Sequence, residues 1–82
     1  MGVIGMLKIT DAEREKNFFQ KYMGKTVDLV YVEEIGKGTK EFRDVKVASV
    51  EDNGVNLVLA DGSRTFMPYE AIDAIAEKRQ SA

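Results

Sequence analysis

The sequence contains no cysteine, no histidine and no tryptophan, and only one proline. Without cysteine or histidine there is no disulfide framework, no Cys/His zinc site, no thiol nucleophile and no imidazole general base. Most familiar hydrolase chemistries fall away with them. No apolar run approaches the roughly 20 residues needed to cross a bilayer. The apolar start from Met1 to Ile9 is too short, and lacks the basic flank of a signal peptide. The expectation is a cytoplasmic chain with no cofactor, no metal and no membrane contact. Positive charge is also scarce: twelve Lys and Arg stand against fourteen Asp and Glu, a formal net charge of −2. That is not the footprint of a protein that grips duplex DNA alone, although a local patch repeated on an oligomer can still bind nucleic acid.

What remains is one small globular domain, residues 1–82, with 44% hydrophobic residues. A domain of this size buries only about 60 to 65% of its unfolded surface, so self-association would add burial that the single chain lacks.

Residues 1–9 read as an N-terminal extension. Thr10 and Glu13 form a capping-box pattern, which predicts a helix over residues 10–24. Phe18, Phe19, Tyr22 and Met23 share one side of it, and Gly24 is the left-handed stop. From Lys25 the period changes to two, with Val27, Leu29 and Tyr31 on one face and Asp28, Val30 and Val32 on the other, so both faces are expected to be covered. A loop over residues 34–40 follows. The next strand, about Glu41 to Glu51, does not keep one phase: its apolar positions are Phe42, then Val45 and Val47, then Val50. A strand whose inward set changes parity must bulge or bend sharply. Asn53-Gly54 and Asp61-Gly62 are two-residue turn dipeptides, and they bracket Val55, Leu57 and Leu59 facing inward with Asn56 and Val58 outward. The fourth strand, Ser63 to Met67, ends at Pro68. A helical turn at residues 68–72 and a short last strand at residues 73–76 complete the chain, with a continuous helix from Glu70 to Arg79 as the alternative. Residues 25–77 form the barrel and residues 78–82 a tail. The fold class is mainly β: an N-terminal helix, then a five-stranded, strongly bent antiparallel SH3-like barrel.

Several motifs carry little chemistry. Gly24-Lys25-Thr26 copies the end of a phosphate loop, but Phe19 stands where its first glycine must be, and the segment closes a helix instead of opening one. Counting a calcium loop with Gly54 sixth places Ser49 first and Ala60 at the position that needs a glutamate. Glu33-Glu34 point to opposite faces of an extended chain, and Ser49, Ser63 and Ser81 have no histidine to activate them. No catalysis is expected. Lys37, Lys40, Arg43 and Lys46 form a basic stripe diluted by Glu41 and Asp44, readable as phosphate contacts or as a solvated hairpin. Asn56, facing outward beside a turn, offers an amide for a base edge, and Tyr69 after Pro68 offers a ring for stacking; the alternatives are a turn hydrogen bond and core packing.

Asp52-Asn53-Gly54-Val55-Asn56-Leu57 resembles the first Sm motif, and Met67-Pro68-Tyr69-Glu70-Ala71-Ile72 has the length and apolar placement of the second. The resemblance to the Sm-like superfamily spans about residues 11 to 77 in element order. It implies a homo-oligomeric ring of about five to seven subunits, joined by edge strands. It also implies binding of single-stranded RNA or DNA, in RNA processing or as a scaffold, with Asp52, Asn56 and Tyr69 at the nucleotide site. Pro68-Tyr69 replaces the family's basic residue and glycine, which implies weak uridine selectivity. The same stretches also resemble the C-terminal SH3-like domain of the ribosome maturation factor family, and this implies instead a protein interaction module, for example one associated with the ribosome.

Overall fold

The computed structural model describes residues 6–34 and 36–78. Two breaks of phase in one strand organise it. The strand β3 (Lys40–Val50) pairs with β2 (Thr26–Tyr31) through Leu29↔Phe42 and Val27↔Val45, so the single outward Asp28 faces both Arg43 and Asp44. Against β4 (Gly54–Val58) the partners are Val47↔Leu57 and Ser49↔Asn56, which leaves Ala48 as an extra residue. Each bulge lies where the apolar pattern of the sequence changes parity, so Phe42, Val45, Val47 and Val50 all reach the inside despite their mixed numbering. Asp44 takes a left-handed φ of 55°, its N–H donates to Asp28 Oδ1 at 2.9 Å, and Lys78 Nζ lies 3.3 Å from a carboxylate oxygen of each aspartate. The first bulge is thereby held by side chains as well as by the ladder.

β5 (Arg64–Pro68) follows β4, a 3₁₀ turn spans Tyr69–Ala71, and β6 (Ile72–Glu77) returns to pair with β2. The helical-turn-plus-strand reading of the C-terminus therefore holds, and the continuous helix does not. Of the expected tail only Lys78 lies among the described residues. The core is a single cluster in which Phe19, Leu29, Leu57, Ile72 and Ile75 are fully buried. Val30, on the second face of β2, and Val32, just past its end, are only half-buried.

Three expectations need correction. First, there are six strands in the order β1-β6-β2-β3-β4-β5, because β1 (Leu7–Lys8), taken from the sequence as extension, pairs with Ala74 and Ile75 of β6. Ile9 is 2% exposed and its N–H donates to Asp73 O at 2.9 Å, so one buried side chain holds this strand in place. Second, the sheet curls but does not close into a barrel: β1 and β5 remain its two edges. Third, residues 10–24 are not one helix. Thr10 N–H does donate to Glu13 Oε1 at 2.9 Å, but the resulting 3₁₀ turn, Asp11–Glu13, ends at Arg14, whose Nε donates to Ile72 O. Glu15 then caps a new helix, α1 (Lys16–Phe19), by accepting from the N–H groups of Asn17 and Phe18. A 3₁₀ turn, Gln20–Tyr22, follows, and Gly24 has φ 79° as a left-handed stop. Phe19 and Tyr22 are buried, Phe18 is half-buried, and Met23 is 48% exposed. Among the described residues no helix is long and apolar enough to cross a membrane.

The two turn dipeptides work differently from each other. Gly62 has φ 89° and closes a three-residue loop, in which its N–H donates to Leu59 O and Leu59 N–H donates to Ser63 O. Gly54 is not in the left-handed region. It is the first residue of β4 and is buried under β5, where a Cβ would come 2.6 Å from the Phe66 ring and 2.8 Å from Pro68 Cα, and would also collide with Met67 O. Asparagine tolerates positive φ but not a missing volume. Gly62→Asn should therefore cost a few tenths of a kcal/mol, whereas Gly54→Asn and Gly54→Ala should each cost about 1–3 kcal/mol. Urea denaturation of the three variants checks this, and equal losses at both sites would contradict the close approach at Gly54.

Candidate nucleic-acid interface

The register of β3, β4 and β5 fixes which side chains share the outer surface. Val47, Val55, Leu57 and Met67 are buried, so their alternating neighbours face out. One cross-strand row is Lys46, Val58 and Arg64, and the next is Ser49, Asn56 and Phe66. Phe66 is 42% exposed, lying over the bare Cα of Gly54. Lys46 and Arg64 have no carboxylate within ion-pair distance among the described residues. Asn56 Nδ2 donates to Ser49 Oγ at 2.9 Å and to Glu51 Oε2 at 3.3 Å, and Ser49 Oγ donates to the same Glu51 oxygen. The amide oxygen of Asn56 is left to accept from a ligand. An aromatic face, an amide and two unpaired cations thus occupy adjacent positions on a rigid sheet.

The seven residues singled out by sequence are distributed over four places. Lys46 and Asn56 stand on this face. Lys37, Lys40 and Arg43 stand off it, each beside a carboxylate: Glu34 at 3.9 Å, Glu33 at 2.6 Å and Glu41 at 3.4 Å. The Glu33 hydrogen bond raises the Lys40 pKa above the usual lysine value. Asp52, at the β3–β4 turn, pairs with Lys16 at 3.4 Å.

Tyr69 lies in the core. It is 5% exposed, its ring stacks on Phe19 at a centroid distance of 5.0 Å, and its hydroxyl donates to Glu51 O. Burial, reinforced by the charges of Asp52, Glu51 and Glu15, raises its pKa above the usual phenol value. No family model, no curated protein and no solved structure matches this chain. The surface therefore stands on its own geometry.

Phe66 and Arg64 are not among the residues the sequence singles out, because the signals in Ser63 to Met67 give a strand and its end at Pro68 but assign neither residue to a face. Counting back across a two-residue Asp61-Gly62 turn sets Phe66 opposite Leu57, on the inner face, whereas the three-residue loop of the structure shifts the register by one and sets Phe66 opposite Asn56. The Tyr69 hydroxyl also ties the 3₁₀ turn to the β3–β4 turn, and Tyr69 N–H donates to Asn53 O at 3.2 Å. Tyr69→Phe keeps the stacking and strands the Glu51 carbonyl, so it should cost about 1–2 kcal/mol. A thermal melt of that variant indistinguishable from wild type would show the hydroxyl bond to be energetically empty.

Proposed function

We propose that this chain is a non-catalytic, Sm-like protein that binds single-stranded RNA on the outer face of β3, β4 and β5. The observation that carries the reading is the exposed Phe66 ring flanked on one face by Asn56, Lys46 and Arg64. Single strands are held by stacking bases on aromatic rings while cations follow the backbone, and every base has a face to stack. Phe66 takes the stacking role that the resemblance would give to Tyr69, because Tyr69 is committed to the core. Asn56 accepts from a base edge, and Lys46 and Arg64 contact phosphate.

The finer fold assignment rests on element order. A helical cap precedes β2 to β6, the second of these five strands is doubly bulged, and a 3₁₀ turn precedes the last. A ring of protomers is not required for this reading, since the whole face lies within one chain. β1 already occupies β6 at Ala74 and Ile75, where a neighbouring protomer's strand would pair.

Titration of labelled oligo-U and oligo-A measures the interface. Phe66→Ala should weaken binding by about 1–3 kcal/mol per stacked base, while Met23→Ala, which trims another exposed apolar side chain, should leave it unchanged. Two phosphate contacts give a slope of log affinity against log salt of about −1.4, and removing Lys46 or Arg64 should reduce it by about 0.7. Unchanged affinity in Phe66→Ala would overturn the reading.

A further inference from the structure

The unclosed seam of the sheet forms a second surface, distinct from the outer face. β5 is an open edge, and the end of β2 and the Tyr69–Ala71 turn stand across from it. Between them lies a cleft of about 260 Å³, floored by the stacked rings of Tyr31 and Phe42, whose centroids are 4.7 Å apart, with Met67 beside them. It continues into a second lobe walled by Val32, Pro68 and Ala71, with Glu33 and Glu70 among its lining residues.

We propose that this seam binds an extended peptide, added antiparallel to β5, with a basic residue followed two positions later by an apolar one. Three observations carry this. The first is the phase of the ladder. Leu59 N–H donates to Ser63 O, so alternation turns the backbone groups of Thr65 and Met67 toward β4 and those of Arg64 and Phe66 toward the open edge. Pro68 has no N–H to offer, so the site ends there. The second is shape. Thr65 and Met67 share the inner face of β5, so alternate side chains of an added strand enter the cleft about 7 Å apart, one in each lobe. The third is charge. Glu33 is partly neutralised by Lys40, but Glu70 has no cation within ion-pair distance among the described residues. The second lobe is therefore an apolar trough with net negative charge. It accommodates the methylene stem of a lysine or arginine and pairs its head group. An antiparallel strand reaches the Pro68 end first, which puts the basic residue before the apolar one.

The proposal does not rest on nucleic-acid binding. The probe is a fluorescein-labelled peptide of sequence Thr-Lys-Thr-Leu-Thr, compared with Thr-Glu-Thr-Leu-Thr and with the reversed order Thr-Leu-Thr-Lys-Thr. Binding is followed by fluorescence anisotropy and by amide hydrogen exchange. The first peptide should slow exchange at the Arg64 and Phe66 amides of the wild-type protein, and Glu70→Gln should weaken it about three- to fivefold. The glutamate peptide should bind about tenfold more weakly than the first, and the reversed peptide should also bind more weakly. Equal affinity for all three peptides, or binding without protection of those two amides, would overturn the proposal. So would concentration-dependent protection of the same amides in the free protein, which would put a second copy of the chain on the edge.

Discussion

The double bulge of β3 is the constraint on which the rest of the structure depends. A flat strand of the same composition would put Phe42 and Val50 on one face and Val45 and Val47 on the other, leaving half of them in water. One additional residue opposite Asp28 and another opposite Asn56 return all four to one side. Each bulge also increases the local twist, so a single strand can leave the side of β2 and finish against β4. The apolar cluster under Phe19, Leu29, Leu57 and Ile75 exists because β3 turns around it.

The same bending separates two surfaces of different character. Outside the curve, the rows Lys46-Val58-Arg64 and Ser49-Asn56-Phe66 form an exposed patch with positive charge and an aromatic ring. At the seam, where the sheet stops short of closing, the Tyr31 and Phe42 rings stay half-buried beside an acidic rim. The two surfaces share β5 yet differ in charge, which suits the two ligands of opposite charge proposed for them. Tyr69 lies between them, tying the 3₁₀ turn that bounds the seam to the β3–β4 turn that bounds the outer face.

Local signals in the sequence read well wherever a short-range rule decided the outcome. The left-handed stop at Gly24, the reversal at Asp61-Gly62, the end of β5 at Pro68 and the parity changes in β3 are all settled by neighbours in the chain. The helix over residues 10–24 misled because the capping signal at Thr10 and Glu13 was real yet served only one turn. Glu15 recaps the backbone three residues before Phe18, and Arg14 is drawn to the carbonyl of Ile72 in a distant strand.

By itself the sequence determined a β-rich domain with a bent central strand, because hydrophobic phase and turn chemistry are local properties of the chain. Only the tertiary structure decided that β1 joins β6, that Gly54 is required by the approach of β5 and not by its own φ, and that Tyr69 is core while Phe66 is surface. The physical reason is common to all of these. Burial and close approach depend on which strand lies alongside, and that partner is set by the closing of long loops whose ends the local pattern does not specify.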